Sequence, residues 1–328
     1  MQATMLMLLA LASTSALATP NDDAWAAYNA SLQSAMRASD DPREWALAAF
    51  PVSDDVATPE VTADAEAELA RAAEHAPNDA LVQWIVANSD APTDARRARV
   101  AAGLARLEAI EPDNAAVWMQ ALHHATALHD DGAASRALAR MATSPRFDEH
   151  FADALHAWLA ACDRHPPAQP LPAVPDGKTA MSAAFAMAMA RTTAIAMPSY
   201  GTITTACNPA KSVLDDRRRA QCEAIGRLMA RQSSTLVARG IGFAVLRNLD
   251  ALTDADRAEN RNLDWYRAHI LEGTGYYDGN VAAAAAYEKD WRRLDDEIMV
   301  MRNAIQRVGL PTEAPAGWTP AWAATAGR

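Results

Sequence analysis

The sequence predicts an all-α protein, and three observations carry that expectation. Glycine is sparse, at 13 of 328 residues. Runs of β-branched residues that would build strands are almost absent, while the good helix formers Ala, Leu, Arg and Glu dominate. Apolar positions recur at helical spacing between punctuation marks made of Pro, Asn and Asp.

The apolar run at residues 5–12 is followed by Ala16 and Ala18, the small-x-small pattern that signal peptidases cut. We expect a cleaved secretory signal over residues 1–18, although Met1-Gln-Ala-Thr lacks Lys and Arg. Export then places the chain in a periplasm or beyond, where disulfides persist. The remaining 310 residues (328 minus 18) suffice for a large core or two domains. A net charge of −11 argues against nucleic acid or an anionic membrane surface as the main partner, since either needs a basic face.

Residues 25–36 and 42–50 read as two helices, the second stopped by Pro51. Pro77-Asn-Asp-Ala80 and Pro112-Asp-Asn-Ala115 each end one apolar run and begin another, with Asn78 and Asp113 placed as N-caps. The prolines lie 35 apart (112 minus 77), and Pro145 follows 33 later (145 minus 112). Trp84 and Trp118 are 34 apart, and Phe151 stands 33 beyond Trp118.

In these residues the chain resembles a tetratricopeptide (TPR-like) repeat over roughly residues 58–165. Trp84, Leu104 and Pro112 match the early aromatic, the second-helix apolar position and the closing proline. Trp118, Ala134, Leu138 and Pro145 match in the next unit. The family's first-helix Gly and Tyr are replaced by Asn88 and Ala91, then by Leu122 and Ala125. The resemblance implies stacked antiparallel helix pairs over residues 19–165, with Trp84 and Trp118 in equivalent buried positions. It also implies a concave face that takes a protein or peptide.

Residues 166–177 hold five prolines, read here as a linker and domain boundary. A C-terminal helical domain is expected over 178–310, with helices at 181–197, 223–249 and 281–308. Another is opened by Thr253 with Asp256 three residues on. Gly240 and Gly242 read as a close helix crossing or a break, and residues 311–328 as an irregular tail whose Trp318 and Trp322 fold back on the body. Residues 179–206 carry only Arg191 as a charge, but Met197-Pro-Ser-Tyr-Gly201 divides them into pieces too short to span a membrane.

Chemistry-bearing patterns are scarce. Seven of eight histidines fall between residues 75 and 165, but neither His123-His124 nor His150 and His156 has the i, i+4 spacing of a helical metal site. They read as scattered surface or half-buried residues, and Met187 and Met189 as core fillers. No G-x-S-x-G frames a serine, and Asp215-Asp216 and Asp295-Asp296 are adjacent pairs that diverge on a helix. No catalytic residue, metal or cofactor is expected. Arg217 and Arg219 are the tentative binding residues, for a phosphate, headgroup or carboxylate; the alternative is a solvated face paired with Asp215 and Asp216.

The cysteines pose a geometric choice. A helix running from Pro209 through Cys222 would hold its ends about 20 Å apart, whereas a disulfide needs Cα atoms within about 7 Å. Asp215-Asp216 can cap a new helix, which turns residues 207–214 into a connection. We expect a Cys207–Cys222 disulfide with a break near Asp215, leaving Cys162 free in an apolar helix. The functional expectation is an exported, non-enzymatic helical-repeat scaffold for a protein or peptide. Its rival is an enzyme or small-ligand receptor with its site in the C-terminal helices.

Overall fold

Side chains that accept backbone N–H bonds decide where most of the helices begin. A computed structural model describes residues 20–49, 59–89, 93–169, 171, 181–276 and 278–320, and among them all regular structure is helical apart from one bridge between Asn114 and Arg146. The helices are α1 (Pro20–Ala38), α2 (Pro42–Ala48), α3 (Pro59–His75), α4 (Ala80–Ala87), α5 (Asp94–Ile110), α6 (Ala115–Ala127), α7 (Asp131–Thr143) and α8 (Phe151–Arg164). They continue as α9 (Ala183–Ala196), α10 (Tyr200–Ala206), α11 (Asp216–Gln232), α12 (Leu236–Asn248), α13 (Asp254–Thr274), α14 (Val281–Trp291) and α15 (Glu297–Arg307). The all-α expectation therefore holds. The expected signal, Pro51, most of the linker and Trp322 lie outside the described residues.

The caps correct the sequence reading by one residue. Asp79 and Asn114, not Asn78 and Asp113, accept the first N–H bonds of α4 and α6, from Val82 at 3.1 Å and Ala116 at 3.1 Å. The caps are 35 apart (114 minus 79), so Trp84 is five residues past its cap and Trp118 only four. One residue turns a helix by about 100°. Trp84 is accordingly fully buried, while Trp118 is half-buried, donating to the Pro112 carbonyl at 2.9 Å with the Arg140 guanidinium 5.5 Å from its ring. The expected equivalence of the two indoles is wrong, and Met119, also buried, takes the place that corresponds to Trp84. Phe151 opens α8 and packs 5.9 Å from the Trp291 ring.

Two long helices expected in the C-terminal half are each divided. Thr235 caps α12 after Ser233-Ser234 ends α11, and Asp296 caps α15 by accepting from Ile298 N at 2.8 Å. A short polar side chain that binds its own backbone supplies a better local alternative to helix at both places. The glycines here serve a close crossing: a Cβ on Gly242 would come within 2.7 Å of the Gly226 carbonyl, so α11 and α12 meet backbone to backbone. The Thr253–Asp256 capping box is present, and Trp318 packs edge-on against Trp265 with 5.3 Å between ring centroids.

The apolar cores do not divide at residues 166–177. One gathers α1–α4 with α8, α9, α14 and α15; a second joins α4–α7 to α10–α12; a third lies among α11, α12, α13 and α15. The linker therefore does not separate two cores. Helix pairs α4–α5 and α6–α7 pack within the N-terminal half, but α10 covers part of α6 and α11 covers part of α7. The face expected to lie open is partly filled by the chain itself.

Candidate functional site: a hydroxyl-lined groove and a buried polar turn

Where α10 and α11 meet α6 and α7, the surface leaves an open groove of about 510 Å³. Its walls carry six hydroxyl side chains, Thr126, Ser135, Ser199, Thr202, Thr205 and Ser212, with Leu122 and Leu138 beneath and one charge of each sign, Asp131 and Arg218. Several hydroxyls are held in place: Thr126 donates to the Leu122 carbonyl at 2.7 Å, Ser212 to the Thr205 carbonyl at 3.0 Å, and Thr202 lies 3.1 Å from His123 Nδ1. A hydroxyl donates once and accepts twice, so Thr126 and Ser212 keep only acceptor positions at fixed places, and the wall's donors are its other hydroxyls and the Arg218 guanidinium. A smaller hollow of about 250 Å³ brings together the two unit-closing prolines, Pro112 and Pro145, with Asp113 and Arg140.

The groove wall depends on the disulfide. Cys207 and Cys222 are joined, with Cα atoms 5.5 Å apart and both residues buried, and Asp215 caps α11 by accepting from Arg218 N at 2.7 Å. The expected pairing and helix break are both present, and Cys162 is free and buried. The bond fixes the C-terminal end of α10 against α11 and closes residues 208–221 into a loop that presents Val213, 99% exposed.

Arg217 and Arg219 are not brought together. Two residues apart on α11 they point about 200° from one another. Arg217 faces solvent, and Arg219 donates to the Leu249 carbonyl at the end of α12 and lies 3.9 Å from Glu223. The arginine that reaches the groove is Arg218, which donates to Ser135 Oγ at 3.5 Å.

Sequence reasoning also missed the turn between α7 and α8. His150, read as a surface or half-buried residue, is only 2% exposed and adopts the left-handed backbone region at φ 56°. Its ring lies 3.0 Å from Glu111 Oε2 and 3.1 Å from Asp153 Oδ2, and 5.3 Å between centroids from Trp84. Burial disfavours the imidazolium, but the two carboxylates outweigh it and hold His150 at about 9. Burial likewise opposes ionisation of Glu111, and the bond to His150 with Asn114 and Arg146 nearby holds it down at about 2.

Glu149 points the other way. It is fully buried and accepts from Tyr200 Oη and Ser233 Oγ, each at 3.3 Å, and from Thr235 Oγ1. Burial is the dominant effect and lifts its carboxyl to about 7; the hydroxyl bonds pull it down, and Asp148 and Glu297 push it further up. Tyr200 is the first residue of α10, so this carboxyl grips the end of the groove helix opposite the disulfide.

Among the described residues, no three of His, Cys, Asp and Glu form a group that holds a metal ion, and no helix is long and apolar enough to cross a membrane. No protein-family model, curated protein or solved structure matches the chain.

Proposed function

We propose that the protein is an exported, non-enzymatic helical-repeat scaffold that binds a segment of protein or peptide in the groove between α6–α7 and α10–α11. The observation that carries this reading is the groove's lining of six hydroxyls, some held by internal bonds, with a single cation and a single anion. An extended backbone offers alternating N–H donors and C=O acceptors, which hydroxyls match in either sense, and the near-neutral wall does not select for a strongly charged ligand. The TPR-like reading is supported by helix starts that recur 35 residues apart, at Asp79 and Asn114. Export is supported by the buried disulfide, a bond that persists in oxidising compartments. The rival, an enzyme or small-ligand receptor centred on Arg217 and Arg219, asks for convergent charges. Those guanidiniums diverge, so the scaffold reading is favoured.

The test is a photo-crosslinking residue at Thr205 in the full-length protein expressed with its export signal. A discrete protein adduct is expected. It should disappear when Gly201→Leu fills the groove, a change that meets no neighbouring atom within 4 Å of the new Cβ. Adducts that are absent, or that persist unchanged in the Gly201→Leu variant, would overturn the groove as the binding site.

A further inference from the structure

We propose that Glu149 is a pH-operated latch on α10: neutral, it ties the helix to the start of α12; ionised, it lets the N-terminal end of α10 move and opens the groove wall. The geometry of that attachment carries the inference. α10 is seven residues long, and Ser199 makes no side-chain capping bond at its start. One end is fixed covalently by Cys207–Cys222. The other is held by Tyr200 Oη on Glu149, whose second group of partners, Ser233 and Thr235, belongs to the connection that opens α12. Between these two anchors α10 supplies Gly201, Thr202, Thr205 and Ala206 to the groove.

The charges around Glu149 determine which way the latch works. From its own turn come Asp148 beside it and His150, whose ring is taken by Glu111 and Asp153 on the opposite side. From α10 comes the Tyr200 phenol; the α11–α12 connection contributes only hydroxyls. From α15 comes Glu297, a second acid, whose carboxylate accepts from Leu236 N at 2.6 Å and feels Arg267 and Arg239. Asp148 and Glu297, the charged groups that act most strongly on Glu149, are both negative. An anion formed there is buried with no cation in hydrogen-bond contact, since the His150 ring is taken by Glu111 and Asp153, and burial outweighs its hydroxyl bonds unless water is admitted. Of the elements holding it, α10 is the shortest, and Tyr200 is half-buried where Ser233 and Thr235 are buried. Protonated on Oε2, Glu149 carries no buried charge and can donate to Ser233 Oγ while Oε1 still accepts from Tyr200 and Thr235, so the tie to α10 is kept. The latch itself does not need a ligand, but its effect on binding rests on the groove reading above.

Amide hydrogen exchange on the full, ligand-free protein tests it, with rates at pH 5 and pH 8 corrected for the intrinsic pH dependence of exchange. Protection of residues 200–206 should fall by about tenfold or more at pH 8 while α4 is unchanged, and Glu149→Gln should keep α10 protected at both values. Should that variant not fold, Tyr200→Phe serves: it should leave α10 poorly protected already at pH 5, with little further change at pH 8. Equal protection of wild-type α10 at the two pH values overturns the latch, as does a pH response that survives in Glu149→Gln or Tyr200→Phe. Because no ligand is present, an α10 that responds while the crosslinking experiment fails would cost only the groove reading.

Discussion

Two adjacent residues in the turn between α7 and α8 are buried to the same degree and end in opposite charge states. His150 faces Trp84 on α4 and Glu111 at the end of α5, and Glu111 together with Asp153 in the first turn of α8 keeps it a cation. Glu149 faces α10 and α12, where it finds hydroxyls and two like charges and stays neutral up to about 7. Burial alone cannot account for the difference, since both side chains are out of water. What decides is whether the neighbouring elements supply a counter-charge in contact: the end of α5 and the first turn of α8 do so for His150, and α10 and the start of α12 give Glu149 only hydroxyls.

The largest expected effect removes the floor on the His150 side. Trp84→Ala should cost about 3–5 kcal/mol, because a fully buried indole against His150 leaves a cavity that nothing refills. Trp118→Ala, with one side of its ring toward solvent, should cost on the order of 1 kcal/mol. Denaturant unfolding of the two variants checks the pair, and equal costs would restore the equivalence that the one-residue cap offset removes.

Next in size is the pH dependence of stability, in which both sides of the turn act with the same sign. Glu149 has a folded pKa near 7, raised from 4.5 chiefly by burial, so the fold loses stability as pH rises from about 4.5 through about 7. His150, raised from 6.5 to about 9, contributes stability that is complete below about 6.5 and lost as pH rises through about 9. Glu111, held at about 2, works at the acid end: its share is present above 4.5 and lost as pH falls toward 2. That share and part of the His150 share are one interaction seen from its two ends. The melting temperature should therefore peak near pH 5. Glu149→Gln should remove the decline between pH 4.5 and 7, a gain on the order of 3 kcal/mol at pH 8 and almost none at pH 4. A variant whose stability tracks wild type across that window would mean Glu149 is ionised throughout.

How much of this was legible in the sequence depends on the range of the interaction. Helix class, the Thr253–Asp256 box and the Cys207–Cys222 pairing rest on neighbours within a few turns, and each is present as expected. The caps at Asp79 and Asn114 were ambiguous, because Asn and Asp stand side by side at both places and only the docked helix selects one. The breaks before α12 and α15 were written in Ser233-Ser234-Thr235 and Asp295-Asp296, but apolar periodicity on either side outweighed them. Glu149 and His150 were beyond reach for a different reason. Their long-range partners, Thr235 and Glu111, lie 86 and 39 positions away in the chain, and no local pattern encodes those two meetings. The local signals were the ionisable pair Glu149-His150 just before an apolar helix start and Asp153 three residues past the histidine.

The smallest expected effect separates the core of the His150 network from its rim. Arg146 reaches Glu111 at 3.1 Å, Asp113 at 3.3 Å and Asp148 at 3.6 Å, more ion pairs than His150 makes, yet its side chain is 36% exposed and Asp113 is 56% exposed. Exposed pairs gain little over hydration and lose more as salt rises. Glu111 also keeps His150 and Asn114 when the guanidinium is gone, and the backbone bond from Ala115 N to the Arg146 carbonyl at 2.9 Å does not involve the side chain. Arg146→Gln should therefore cost under about 1 kcal/mol and less still in 0.5 M salt, while the titration of His150, followed by its ring resonances, stays above 8. A cost of about 3 kcal/mol that persists in salt would show that the His150 cation depends on the whole charge network, not on the two carboxylates that touch it.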